Sequence, residues 1–325
     1  MRAMLFKRVG EPLTLAEVPI PTPQSHEVLI RVLFCGVCRT DLHIVEGDLQ
    51  NPALPLILGH QIVGTIEKGS LKYPAGTLVG VPWLGGCCHT CEYCLSQREN
   101  LCDKAQFTGY LKNGGFAEYC VAAEEFVISL SSKMDPLHTA PLLCAGLIGY
   151  RAFKLTGFAK TLGLYGLGSS AHLVCQAASQ MGSDVYVFTQ EGDLEKQAFA
   201  RKLGAKWAGG SKEISPVSLD AAILFAPDGS LYPTALCSIK KGGKVISAGI
   251  HMSDIPSFPY SLLWGERSIS SVANLTKQDA VEWMQLVDKS SIKVEVTVFP
   301  LEKANEALLA IREGGLRGSV VLEIG

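Results

Sequence analysis

Four cysteines in one short segment have the spacing of a metal site. Residues 88–102 read CHTCEYCLSQRENLC, with two, two and seven residues between Cys88, Cys91, Cys94 and Cys102. Four thiolates in a short loop match a closed tetrahedral zinc site, which is structural because no coordination position is left for water. The usual spacings of iron–sulfur clusters differ from this one. Cys87 is adjacent, but only Cys88 keeps the even spacing, so we predict a structural zinc on the other four.

A second metal site could form from three separated segments. Residues 35–43 read CGVCRTDLH, GHQIVG supplies His60, and APLLCAG supplies Cys144. With either Cys35 or Cys38 these residues make a Cys₂His set, and three ligands with one open position are typical of catalytic zinc. The residues alone leave two choices open. They do not decide between Cys35 and Cys38, and a histidine beside a glycine turn or an isolated cysteine is commonly structural.

Two regions with different sequence patterns must position these residues. The first part of the chain has short β-branched runs, such as HEVLIRVLFCGV and QIVGTIEKG, separated by glycine, proline and charged turns. This pattern predicts a strand-rich domain, a distorted barrel. From about residue 148, apolar strands such as TLGLYGLG and DVYVFTQ alternate with helical segments. That alternation predicts a parallel, doubly wound sheet, and therefore an α/β fold class.

Charge and composition limit the kinds of binding partner and the cellular compartment that we expect for this chain. The formal net charge of −2 argues against a nucleic-acid partner. Since an apolar run of roughly 18 residues is absent, we expect no membrane span. The start, MRAMLFKRVGEPL, lacks the apolar run of a secretory signal, so we expect a cytoplasmic protein. In that reducing compartment, scattered cysteines favour burial, and we expect Cys120, Cys175 and Cys237 in the core.

Several motifs, in order over nearly the whole chain, resemble the zinc-dependent alcohol dehydrogenase family of the medium-chain dehydrogenases/reductases. They are CGVCRTDLH, GHQIVG, VPWLGGCCHTCEYC, PLLCAG, YGLGSSA and LRGSVVL. SVANLT is similar to segments of a bacterial alcohol dehydrogenase-like subgroup. The resemblance implies a GroES-like catalytic domain (1–147 and 275–325) with both zinc sites, a Rossmann NAD(P)-binding domain (148–274), and a homodimer or homotetramer.

The resemblance also implies a role for each polar residue of the first motif. The catalytic zinc would be held by Cys38, His60 and Cys144, with Cys35 in packing. The further implied roles are an aspartate that orients the ligand histidine (Asp41), a hydroxyl that hydrogen-bonds the substrate alcohol (Thr40), the outer base of a proton relay (His43), a contact with the cofactor pyrophosphate (Arg39) and an aromatic wall of the substrate pocket (Trp83). One position departs from the family, because Gln61 replaces the usual glutamate behind the zinc. We expect this to change zinc exchange or turnover modestly.

A dinucleotide fingerprint lies between the first strand and the first helix of the second region, which begins at about residue 148. LYGLGSSAH has the form G-x-G-x-x-A, and the helix amino terminus would receive the pyrophosphate. The predicted cofactor contacts are Gly166, Leu167, Gly168, Ser169, Thr189 and, from the resemblance, Arg317.

The choice between NAD and NADP depends on the turn after the second strand. Thr189 and Gln190 are neutral, and the similar subgroup often has arginine in place of Gln190. Glu191 and Asp193 would repel a 2′-phosphate, and the turn contains no lysine or arginine. We therefore expect NAD(P), with NAD favoured.

The sequence predicts a zinc-dependent alcohol dehydrogenase with two zinc ions per chain. It would transfer hydride reversibly between a primary or secondary alcohol and NAD(P), yielding an aldehyde or ketone. One alternative is the zinc-free quinone reductase branch of the same fold, against which the seven candidate zinc ligands argue. Another is a zinc-stabilised NAD(P)-binding sensor without turnover, against which Thr40 and His43 argue. The polyol dehydrogenase branch usually has glutamate at the position of Cys144.

Overall fold

The computed structural model describes residues 1–314 and 317–325, which form two compact units. The strand-rich unit comprises Met1–Leu147, Asn274–Lys289 and Val294–Gly325. The doubly wound unit comprises Ile148–Ala273 and Ser290–Lys293. The predicted α/β class, with a strand-rich domain and a parallel sheet, is confirmed.

The strand-rich unit is built mainly from antiparallel strands. The elements of its first segment are β1 (Arg2–Phe6), β2 (Thr14–Glu17), β3 (Glu27–Val37), α1 (Arg39–Glu46), β4 (Leu56–Ile57), β5 (Gln61–Lys68), β6 (Leu78–Val81), β7 (Leu84–Gly86), α2 (Glu92–Leu95), β8 (Gln106–Phe107), β9 (Tyr119–Ala123), β10 (Ile128–Ser129) and α3 (Pro136–Thr139). A helix, α4 (Ala145–Leu155), follows.

The doubly wound unit alternates strands with helices. Its elements are β11 (Thr161–Tyr165), α5 (Ser169–Gln180), β12 (Asp184–Thr189), α6 (Leu194–Lys202), β13 (Trp207–Gly210), β14 (Leu219–Leu224), α7 (Leu231–Ser238), β15 (Ile239–Ser247), α8 (Tyr260–Leu263) and β16 (Ser268–Ser271). The chain ends with α9 (Lys277–Asp288), β17 (Val296–Pro300), α10 (Ala304–Glu313) and β18 (Ser319–Glu323), which belong to the strand-rich unit.

Strand β3 is the centre of the largest sheet and positions the first motif. It pairs antiparallel with β5, β9 and β18. Val28, Ile30 and Val32 point into the core, as the two-residue period of a strand requires. The register opposes Gly36 to Gln61. In an antiparallel ladder this places the residue that follows β3 beside the residue that precedes β5, so sheet pairing brings two distant motifs together.

The sheet of the doubly wound unit is parallel throughout, in the order β13-β12-β11-β14-β15-β16. The first strand, β11, lies in the middle, and the chain builds outward from it in both directions. Such a reversal leaves a crevice at the carboxyl ends of the central strands, where ligands bind in folds of this type. The fingerprint glycines follow β11 directly, at that edge of the sheet.

One expectation about the core is wrong. Cys120 and Cys175 are buried, as predicted, but Cys237 is exposed. It lies on α7, where Leu231, Ala235 and Leu236 supply the buried face, and the helix turns Cys237 away from them. Among the helices that the structure describes, none is long and apolar enough to cross a membrane.

Candidate active site

The structure brings together three side chains that could ligate a metal ion. One ligand atom from each of Cys38, His60 and Cys144 lies within 4.8 Å of the others. Cys38 is the N-cap of α1, His60 precedes β5, and Cys144 precedes α4. The Nε2 atom of His60 lies 3.2 Å from the Sγ atom of Cys38. Cys35 is fully buried within β3 and is not part of this set.

Asp41 connects the two segments that carry Cys38 and His60. Its Oδ2 atom accepts a hydrogen bond from the backbone N–H of Cys38 at 2.9 Å, which completes the capping box of α1. Its Oδ1 atom accepts from the backbone N–H of Gly59 at 3.2 Å and lies 3.2 Å from Nδ1 of His60. The Nδ1 contact is misaligned for a hydrogen bond, so it is a charge contact. Asp41 and His60 are both fully buried, and this carboxylate fixes which ring nitrogen faces the thiolate.

The charges around this set favour a bound cation. A hydrogen bond from Cys144, followed by the charge of His60, lowers the pKa of Cys38 well below its ordinary value, although burial opposes this. The same hydrogen bond and burial raise the pKa of Cys144 well above its ordinary value. Burial disfavours a charged His60, but Asp41 and Cys38 outweigh it and raise the pKa of His60 to about 10.

A metal ion fits this donor set. The raised pKa values favour protons on His60 and Cys144, and metal binding would displace them, since ligands bind deprotonated. Two thiolates and one imidazole are donors that suit zinc, with a fourth position left open. The residues present therefore fit a catalytic zinc ion.

Thr40 and His43 lie on the same face of α1, because residues three apart are neighbours on a helix. Thr40 is half-buried, and its backbone N–H donates to Sγ of Cys38 at 3.3 Å. His43 is buried, and its Nδ1 atom lies 2.7 Å from Oδ2 of Asp48. Asp48 was not singled out from the sequence, where GD after a helix indicates only a helix end. Arg39 is exposed and donates to the carbonyl oxygen of Ile311 at 3.2 Å.

Trp83 lies against the histidine of this site. The two rings are edge-to-face, with centroids 4.9 Å apart and planes at 78°. Phe107 and Tyr110 both stack on Trp83, at centroid distances of 5.1 and 5.8 Å. Sequence reasoning named only Trp83. The other two rings come from the segment after the cysteine loop, and their spacing alone gave no signal of this cluster.

A further residue that the sequence did not reveal positions Cys144. Trp283, on α9, is fully buried and donates its Nε1–H to the carbonyl oxygen of Leu142 at 3.0 Å. The indole also lies against Gly146, where an added Cβ would come within 2.6 Å of Nε1. Trp283 therefore holds the backbone on both sides of Cys144, from a helix distant in sequence.

The four-cysteine loop forms a separate cluster. Cys88, Cys91, Cys94 and Cys102 each place a sulfur within 4.8 Å of the others, and Cys87 is not among them. Backbone N–H groups of Thr90 and Cys91 lower the pKa of Cys88 to about 5, and burial raises the pKa of Cys102 to about 11. Backbone donors aimed at a sulfur stabilise a thiolate. Four sulfurs at this separation fit a closed tetrahedral zinc site.

The fingerprint forms the predicted strand–turn–helix. Gly166 has φ +93°, and an added Cβ would lie 2.9 Å from the backbone nitrogen of Ala226. Gly168 is the N-cap of α5, and an added Cβ there would meet open space. Leu167 is buried in the core, and Ser169 is the first residue of the helix. A helix N-terminus that follows an exposed glycine fits a pyrophosphate group.

The turn after β12 determines the surroundings of a cofactor ribose. The hydroxyl of Thr189 is buried and donates to the carbonyl oxygen of Gly209 at 3.3 Å, so it is committed to its own sheet. Glu191 accepts from the backbone N–H of Lys212 at 2.8 Å, and Asp193 caps α6. Arg317 is exposed and follows directly on two residues outside the described part of the chain.

Comparisons with known proteins agree with this geometry. Residues 24–132 match the alcohol dehydrogenase GroES-like domain family. The chain is 40% identical to a probable alcohol dehydrogenase of Mycobacterium tuberculosis, over 100% of this chain and 97% of that protein. It is 35% identical to an alcohol dehydrogenase of Geobacillus stearothermophilus, over the whole of both chains.

A solved structure gives the same result for the fold. The acetophenone reductase of Geotrichum candidum, solved in complex with NAD, superposes with a TM-score of 0.89 at 27% identity. The match covers 99% of this chain and 96% of that one.

Proposed function

Because this chain belongs to the medium-chain zinc-type alcohol dehydrogenase family, we propose that it interconverts small alcohols with aldehydes or ketones by NAD(P)-linked hydride transfer. The observation that carries the proposal is the convergence of Cys38, His60 and Cys144 within 4.8 Å, at the start of the helix that presents Thr40 and His43. When bound, zinc would act as a Lewis acid that lowers the pKa of an alcohol, and NAD(P) would act as the hydride acceptor.

The proton of the alcohol has to leave a site that excludes water. Oγ1 of Thr40 can accept this proton while donating its own, since a hydroxyl is both donor and acceptor. His43 is the acceptor at the far end, because a neutral imidazole takes up a proton near neutral pH. Its position one helical turn after Thr40 supports this role.

The aromatic cluster of Trp83, Phe107 and Tyr110 supports a small, largely apolar substrate. Trp83 is 7% exposed, and its edge-to-face contact with His60 places an apolar wall beside the metal ligands. A wall of this kind excludes water, which strengthens electrostatic interactions inside the site. This apolar wall provides few hydrogen-bonding partners for a substrate with several hydroxyl groups.

We infer a preference for NAD over NADP. The turn of residues 190–193 contains no cationic side chain, and Glu191 would repel a 2′-phosphate. Comparison of kcat/KM for the two cofactors with one alcohol tests this preference. An NADP value equal to or above that for NAD would overturn it.

Metal content tests the proposal itself. We expect two zinc ions per chain in the wild-type protein and one in Cys38→Ser, with alcohol oxidation lost in the variant. Cys35→Ser is the matched control, because Cys35 is a buried cysteine three residues away that is not part of the ligand set. It should keep both ions. One zinc in the wild type, unchanged in Cys38→Ser, would instead favour a reductase without a catalytic zinc, or a binding protein.

A further inference from the structure

The C-terminal end of α1 folds back onto His43. Gly47 has φ +88°, which ends the helix in the left-handed conformation. The chain reversal lets the backbone N–H of Asp48 donate to the carbonyl oxygen of His43 at 2.9 Å. The side chain of Asp48 also returns to the same residue, with Oδ2 at 2.7 Å from Nδ1 of His43. Two separate contacts therefore join Asp48 to His43.

The side-chain contact fixes the hydrogen on the imidazole ring. An ionised carboxylate can only accept, so Nδ1 of His43 must be the donor. A neutral imidazole carries one N–H, so Nε2 then carries no hydrogen. We infer that Asp48 is a positioning residue that holds His43 as the Nδ1–H tautomer and reserves Nε2 for the proton from the relay. This inference rests on the proposed function, in which His43 accepts that proton.

Other charged residues on α1 have contacts of their own. Glu46 lies near enough that one ligand atom from each of His43, Glu46 and Asp48 falls within 4.8 Å. However, Glu46 accepts from Nε of Arg312 on α10 at 2.8 Å, so its charge is paired. On the same helix, Arg39 donates to the backbone of Ile311, and Asp41 is directed to the segments of Cys38 and His60.

Because the side chain of His43 is buried, its tautomer affects the proton relay. The side chain of His43 is 9% exposed, whereas that of Asp48 is 37% exposed. An imidazole that has lost its fixed partner in such a site can rotate or exchange its hydrogen, and part of the population then presents a donor to the relay. General base catalysis contributes on the order of a hundred-fold or more, so a partial loss of the correct tautomer should cost about ten-fold in kcat/KM.

The tautomer can be observed directly by NMR of protein labelled with ¹⁵N-histidine, at a pH where His43 is neutral. His43→Gln assigns its signals among the seven histidines. We expect an Nδ1–H pattern in the wild type and in Glu46→Ala, the matched control. We expect that pattern to be lost in Asp48→Ala and restored in Asp48→Asn, whose amide oxygen can accept.

Kinetics give the second readout. Asp48→Ala should lower kcat/KM about ten-fold in the wild-type background and have no further effect in His43→Gln, because the two residues act as one unit. An Nε2–H pattern in a wild type that turns over alcohols would overturn the positioning role and leave the proposed function intact. Full additivity of the two substitutions would also overturn it. An Nδ1–H pattern in a protein without turnover would instead contradict the proposed function and not the contact.

Discussion

His172 should make the stability of this protein depend on pH. It lies in the second turn of α5, the helix that begins at the fingerprint glycines, and its side chain is fully buried. Neither ring nitrogen has a hydrogen bond of normal geometry. Burial lowers the pKa of His172 from its ordinary value of 6.5 to about 4, against a smaller opposing effect of the backbone at Ser169 and Gly168. The folded protein therefore holds this imidazole neutral.

The sign and size of the effect follow from linkage. Between the two pKa values the unfolded chain binds more protons than the folded one, so stability is lost as the pH falls through this window. Between about pH 7.5 and about pH 5 the loss is about 2 kcal/mol. Nearly all of it comes from protonation of the unfolded chain. The size therefore depends little on how far the pKa of the folded state lies below about pH 5.

Urea unfolding followed by circular dichroism tests this for wild type and His172→Leu at both pH values. The difference in unfolding free energy between the two proteins should shift by about 2 kcal/mol, in favour of the variant at the lower pH. Other titrating groups cancel in this difference, which is why the variant is needed. His26→Leu, which removes an exposed histidine, is the matched control. An equal pH dependence of wild type and His172→Leu would refute the argument from burial.

The remaining predictions concern the two binding sites. Asp41→Asn removes the charge 3.2 Å from Nδ1 of His60 and should weaken zinc binding about ten- to a hundred-fold, as measured by competition with a chelator; unchanged affinity would contradict its orienting role. Gly166→Val places a β-branched residue at φ +93°, close to a backbone nitrogen. It should lower the free energy of unfolding, measured in urea, by about 1–3 kcal/mol. Gly168→Ala is a milder control, because the added Cβ meets open space. Gln61→Glu buries a carboxyl group at a position that is 2% exposed and should change zinc exchange or turnover modestly; identical kinetics would show that the missing charge is irrelevant.

Local sequence was sufficient for features that depend on short-range order. The four cysteines from Cys88 to Cys102 share one loop, and their spacing alone places the sulfurs near one another. The fingerprint of Gly166 and Gly168 lies within one strand–turn–helix, where the conformations of the glycines determine the turn. The alternation of strands and helices determined the parallel sheet, because a crossover between parallel strands requires such a segment.

The tertiary structure decided what depends on contacts between distant segments. The residues left Cys35 and Cys38 as equal candidates. The register of β3 with β5 places Cys38, and not Cys35, beside His60. Trp283 reaches Leu142 from a helix that follows much later in the chain, and no local pattern specifies that contact.

Local sequence also fails to specify a contact at the end of a single helix. The segment from His43 to Asp48 is short, yet the contact between the two side chains needs the left-handed turn at Gly47. The exposure of Cys237 depends likewise on which face of α7 the sheet covers. Spacing along the chain determines which residues can be neighbours, whereas strand register, helix rotation and backbone reversal determine which of them are.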